Sequence, residues 1–177
     1  MYLEKDKLLD SYKIAKEKSE QEDSKVIFSF TQEITLKNDI LSLIDIEFGR
    51  NKEKLYWNQK IKKNQFLSFG KIISFNTNEL DKSIINLNIN KIIENGIHIN
   101  ETKQKDIPFF IGGQNFNINK KNSNIWRDYH SASYKIPELL IAQNNNITTI
   151  TFFTLINRNK SFESIYLEFS SYYKLIK

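Results

Sequence analysis

The stretch Phe109-Phe110-Ile111-Gly112-Gly113-Gln114, introduced by Pro108 and followed by Phe116, most constrains how this chain folds. Bulky apolar residues impose an extended segment, and two adjacent glycines then remove the side-chain wall from it. At such a pair the chain can take positive φ, or another backbone or a ligand can approach without a Cβ in the way. The first meaning of Gly112-Gly113 is therefore structural, a bulge or close approach. Trp126 and Tyr129 follow after a polar loop, and Pro137 interrupts the next strand-like run. An indole in that setting reads first as a core anchor.

These segments need a core, and composition supplies one. Among 177 residues there are thirteen Phe, eight Tyr and two Trp, too much ring area for a disordered chain. A chain of this length buries about 70% of the surface that its unfolded form exposes. Lys+Arg 26 against Asp+Glu 21 leaves +5, which invites a nucleic-acid reading. The cations are scattered, with no Arg-rich run and no aromatic-basic RNA motif, so no nucleic-acid partner is expected. Lys60, Lys62 and Lys63 form the densest group and read as a solvated turn.

The absence of cysteine excludes disulfides and thiolate chemistry, and two histidines, His98 and His130, exclude a His-rich metal site. No apolar run of signal-peptide length follows the charged first residues, and no window has the roughly 18 apolar residues of a membrane span. A cytoplasmic protein without a membrane partner is the expectation. The Asn-x-Thr tripeptides at Asn100 and Asn146 then reflect abundant Asn.

Hydrophobic period divides the chain. Leu8, Tyr12 and Ala15 predict an amphipathic helix over residues 5–21, and the period changes over residues 25–34, where Val26 to Thr31 strongly favour strand. Asn38-Asp39 can cap a short helix through Leu43, which Phe48-Gly49 breaks. Leu55-Tyr56-Trp57 is a second strand, and residues 65–75 a third with a bulge at Gly70. Asn78-Glu79 opens another helix with Ile85, Ile89, Ile92 and Ile93 on one face, ended by a left-handed stop at Asn95-Gly96. Residues 132–143 and 147–156 form a hairpin about Asn144-Asn145-Asn146, and residues 161–177 form a final helix. A single α+β domain over 1–177 is expected, an antiparallel sheet with flanking helices, with 1–24 as leading helix and 157–177 as terminal helix.

The ordered set Phe110, Gly112, Gly113, Phe116, Trp126, Tyr129 and Pro137 resembles the amino-terminal part of a chorismate-utilising enzyme, and within that family isochorismate synthase. The Phe28 strand, Tyr56-Trp57 and Phe69-Gly70 before Ile72 fall in the same order, so the likeness covers residues 25–156 and is densest over 108–142. Gln114 departs from it, standing where an aromatic residue is usual, as does Tyr129 in place of a commoner Phe.

This resemblance implies one half of a two-layer sandwich and a role in converting chorismate to isochorismate, with menaquinone biosynthesis the preferred pathway. Salicylate or anthranilate formation is the alternative, although no Leu-Leu-Glu-Ser type element for tryptophan feedback is present. The family uses Mg2+ to hold the substrate carboxylate, a Lys as base and a Glu as acid. Those groups belong to a further carboxy-terminal chorismate-binding segment, so none is assigned here: catalytic, substrate-binding and metal residues are none. The resemblance thus implies an isomerase fragment, inactive alone, with that segment as its partner. A chain standing alone would leave an apolar sheet face exposed. The remaining alternative is a non-catalytic basic binding domain. Glu163 and Glu168 are five apart on the last helix and do not share a face well; Glu33, Asp39, Asp45 and Glu47 read as solvated surface, and His130-Ser131 as no dyad.

Overall fold

The computed structural model describes residues 3–47, 50–77, 82–104, 109–114 and 130–176. In chain order these form α1 (Lys5–Gln21), β1 (Val26–Ile34), a 3-10 turn (Ile40–Asp45), β2 (Lys54–Gln59), β3 (Asn64–Phe69), β4 (Ile73–Thr77), α2 (Lys82–Glu94), β5 (Ile97–Asn100), β6 (Ile111–Gln114), β7 (Ala132–Ile136), β8 (Leu139–Asn144), β9 (Ile147–Ile156) and α3 (Phe162–Ile176). Six strands make one sheet, in the order β2-β3-β8-β9-β1-β5, and three make another, β4-β7-β6. The result is an α+β fold of antiparallel sheets with flanking helices. One pairing departs from antiparallel: β5, unanticipated in the sequence, joins β1 in parallel with Phe28 opposite Ile97.

Alternation along β1 and β9 gives the large sheet two unlike faces. Val26, Phe28 and Phe30 point to one side with Ile150, Phe152 and Ile156, where Leu8 and Ala15 of α1 and Ile165 and Phe169 of α3 complete a core. Phe169 stacks on Phe152 at 4.7 Å and on Phe28 at 6.4 Å, an aromatic column joining helix to sheet. Ser11, Ala15 and Ser19 keep the buried stripe of α1 narrow, so this helix lies close on the sheet.

The opposite face carries Ile27, Leu140, Ala142 and Phe153, and against it pack Ile111 and Ile136 of the small sheet, Phe109, Phe110 and Ile92 of α2. The apolar face expected to lie open is therefore covered. Side chains that remain exposed and apolar, such as Ile14, Leu41, Trp57, Ile61, Ile147 and Leu167, do not form one sheet face.

Four local expectations change. The run 65–75 is two strands rather than one bulged strand, because Gly70 at φ +64 turns the chain out of the large sheet and into the small one. Likewise the run 132–143 divides at Pro137 into β7 of the small sheet and β8 of the large. Asp39 caps as anticipated, accepting from the Leu41 amide at 2.8 Å, but the segment is a 3-10 turn. Finally, α2 does not end in a left-handed glycine; positive φ among the described glycines occurs at Gly70, and Gly96 instead makes room for the His98 ring. The breaker at Phe48-Gly49 and the helix start at Asn78-Glu79 lie outside the described residues, as does the side chain of Ile85.

Candidate functional site

Gly70 and Pro137-Glu138 sit side by side where β3 leads into β4 and β7 into β8. Gly70 takes φ +64, which favours glycine, and a Cβ there would lie 2.5 Å from Glu138 Oε1 and displace that carboxylate. Backbone bonds lock the crossing: Gly70 N donates to Glu53 O at 2.8 Å, Glu138 N to Phe69 O at 3.0 Å, and Ile72 N to Ile136 O at 2.9 Å. Pro137, which lacks an N–H, is buried at this turn between sheets.

Charge gathers on the corner. Glu53 takes Lys71 at 3.0 Å and Lys135 at 3.3 Å, and hydrogen bonds from these two ammonium groups hold its carboxyl below the usual range. Glu138 pairs with Lys52, whose Nζ also lies 5.9 Å from the centre of the Tyr172 ring. Tyr172 donates to Glu168 Oε1 at 3.0 Å, and burial, then the Glu168 charge, pushes its phenol upward. Glu168 in turn pairs with Lys160 at 3.0 Å. Each carboxylate is thus matched to a lysine, a strap between the corner and α3. Sequence reasoning missed Lys52 and Glu138 because their contact spans 86 residues; the local signals were a glutamate directly after Pro137 and the Glu168–Tyr172 spacing of four on α3.

Of the motif residues, Gly112 and Gly113 lie in β6, the edge of the small sheet, and they differ. A Cβ on Gly112 would meet Ser133 O at 2.0 Å and Tyr134 Cα at 2.6 Å, whereas one on Gly113 meets nothing within 4 Å. Gly112 permits close approach of β6 to β7; Gly113 faces open space. Phe110 lies beside Phe109 at 5.7 Å, and Phe109 meets Phe153 edge-on at 5.2 Å. The structure so brings Phe110, Gly112 and Gly113 together on the small-sheet side, with Pro137 at its corner. Pro108, Phe116, Trp126 and Tyr129 lie outside the described residues.

The more reactive grouping is one that sequence reasoning did not assemble. His98 Nδ1 lies 2.9 Å from Ser29 Oγ across the parallel β1–β5 pair, and Nε2 lies 2.9 Å from Ile93 O at the end of α2. An Nε2–H donating to that carbonyl leaves Nδ1 to accept from Ser29. Phe109 stands edge-on at 4.3 Å, and although the residue is exposed overall, desolvation of the ring lowers its pKa. Ser29 is only 4% exposed within a strand, so this pair secures β5 and α2 to β1 rather than presenting a nucleophile.

Two cavities open on the same side of the large sheet. One of about 260 Å³ is lined by Trp57, Asn64, Phe66, Gln104 and Asn144, its Trp57 and Phe66 rings stacked at 5.4 Å. The other, about 370 Å³, is mainly apolar, between Ile27, Ile73, Ile92 and Leu155 with Lys25 at its rim. Neither is lined by an acid. Among the described residues no three of Asp, Glu and His converge, so they do not fit a Mg2+ site, and no step is derived through that ion. Nor is any described helix long and apolar enough to cross a membrane. His130 is exposed and Glu163 is exposed on α3, and neither forms an acid–base pair with another described residue.

Comparison with known proteins gives one family. The model of the family described as "Chorismate binding enzyme" matches residues 12–177. Among solved structures, MenF, the menaquinone-specific isochorismate synthase from Escherichia coli, is similar at 16% identity and a TM-score of 0.46, over 94% of this chain and 34% of that chain. This chain therefore spans about a third of the length of that protein. No curated protein matches. With the family model matched over nearly its whole length, the chain belongs to the chorismate binding enzyme family.

Proposed function

We propose that the chain serves an isochorismate synthase, the enzyme that moves a hydroxyl around the ring of chorismate, with menaquinone biosynthesis as its pathway. The family match over residues 12–177 is the observation that carries this reading. The ordered motif Phe110, Gly112, Gly113 and Pro137, together with the absence of a tryptophan-feedback element, supports isochorismate over anthranilate as the product. On this reading the chain supplies scaffold. The general base, the general acid and the groups that hold Mg2+ come from a carboxy-terminal chorismate-binding segment, since the lysines and glutamates at the corner are committed to one another.

The test is an assay of chorismate conversion with Mg2+, using this chain alone and mixed with a carboxy-terminal chorismate-binding segment from a family member. Isochorismate formed only in the mixture is the expected outcome. Salicylate or anthranilate in its place assigns the neighbouring chemistry, and turnover by the chain alone means that catalytic groups lie within it. If the mixture neither associates nor reacts, the non-catalytic binding domain is the better description.

A further inference from the structure

The β2 edge of the large sheet is open among the described residues, and its chemistry is one-sided. β2 is the terminal strand, hydrogen-bonded to β3 on one side only. Its run Lys54-Leu55-Tyr56-Trp57-Asn58-Gln59 contains no proline, glycine or acidic residue. An outer row of unpaired N–H and C=O groups is a template for another strand.

Exposed apolar surface gathers at the same end. Trp57 is 43% exposed, and Ile61, in the turn joining β2 to β3, is 97% exposed. Ile147 begins β9 at this end, three strands away through the register Gln59–Asn64–Asn144–Ile147. Lys54, Lys60 and Lys63 flank the edge and form no ion pair with any described residue, whereas the neighbouring Lys52 and Glu53 are paired.

Which strand fits is decided by charge. A second copy of β2 in antiparallel pairing would set Lys54 opposite Lys60 of its partner at both ends, where like charges are destabilising, or, shifted by one, set Lys60 opposite a Glu53 already held by Lys71 and Lys135. Lysines on an edge guard against such self-pairing. They do not guard against acids. We propose that the β2 edge receives an extended acidic strand from another polypeptide, its backbone continuing the large sheet, its carboxylates meeting Lys54, Lys60 and Lys63, and its apolar side chains covering Trp57. Strand addition of this kind draws affinity from main-chain bonds and specificity from alternate side chains. The inference does not depend on the reaction proposed above.

The experiment uses the full chain with a labelled eight-residue peptide alternating valine and glutamate, and a second alternating valine and lysine. Fluorescence anisotropy reads affinity, and amide shifts in the NMR spectrum locate the contact. The acidic peptide should bind and shift the amides of residues 54–59, while the basic one binds at least tenfold more weakly. The double variant Lys54→Glu/Lys60→Glu, at surface positions that leave the core untouched, should reverse that preference. Failure of the acidic peptide to bind, shifts confined to other strands, or no reversal in the variant would overturn the proposal. So would a concentration-dependent dimer through these amides without peptide, which would make a second copy the occupant.

Discussion

The two faces of the large sheet differ in how their buried polar groups are held. On the helical side, rings and aliphatic chains from β1, β9 and α3 interdigitate, with Phe28, Phe152 and Phe169 each essentially inaccessible to solvent. The side facing the small sheet buries hydroxyls as well: Ser29, Thr31, Thr149, Thr151 and Ser68 are each 4% exposed or less. Thr31 and Thr151 satisfy one another at 2.9 Å, Thr149 reaches Ala142 O at 3.3 Å, and Ser29 meets His98. Both faces bury apolar area, and the second adds these side-chain hydrogen bonds; Ser68 on it and Gln32 on the helical face are buried without one among the described residues. The small sheet with its Gly112-Gly113 strand lies against this second face, as do the cavities of about 260 and 370 Å³.

Truncation on the helical side should have the greatest effect. Phe169→Ala removes a ring that stacks on two others and is expected to cost about 3–5 kcal/mol in chemical denaturation. A loss under 1 kcal/mol would mean that α3 is not part of the core. Next come the two glycines. Gly112→Ala drives a methyl into the β7 backbone and should cost about 1–3 kcal/mol, while Gly113→Ala should be neutral or slightly stabilising. Equal effects would refute the close approach of β6 on β7.

Thr31→Val leaves the Thr151 hydroxyl buried without its partner, with an expected cost of about 1–3 kcal/mol, and adding Thr151→Val should recover most of that loss. Additive losses would show that the hydroxyls do not act as a pair. The smallest effect concerns pH. Because folding depresses the His98 pKa, the unfolded chain binds more protons below the ordinary imidazole value of 6.5; the His98 contribution is full above that pH and is lost as pH falls through the folded pKa. Thermal melts should therefore drop between about pH 7 and pH 5, and His98→Gln should flatten that slope.

Elements with a clear period were legible in the sequence: α1, β1, β9 and α3 lie within a residue or two of expectation, as does the turn between β8 and β9. What escaped was whatever depends on distant chain. β5 is a four-residue strand whose Ile-His-Ile-Asn carries no more strand signal than the loops, and it exists because β1 offers an edge. Residues 65–75 and 132–143 each looked continuous because a glycine and a proline mark interruption without saying that the two halves join different sheets. At the candidate site the glycine pair was visible, but the distinction between its members was not: it lies in the Ser133 carbonyl, twenty-one residues from Gly112. The Ser29–His98 pair left no local trace, and the Lys52–Glu138 pair left none beyond the glutamate after Pro137.

The pairing of β1 with β9 has a consequence for how the molecule is made. Val26 finds its mate at Ile156, so β1, the first strand to leave the ribosome exit tunnel, must wait for the chain to be largely synthesised. During that interval the Val-Ile-Phe-Ser-Phe-Thr segment has only β5 and α1 to shelter it. A nascent chain that stalls before β9 emerges therefore displays a sticky aromatic ribbon, and slow translation through residues 101–146 is where chaperone engagement should concentrate.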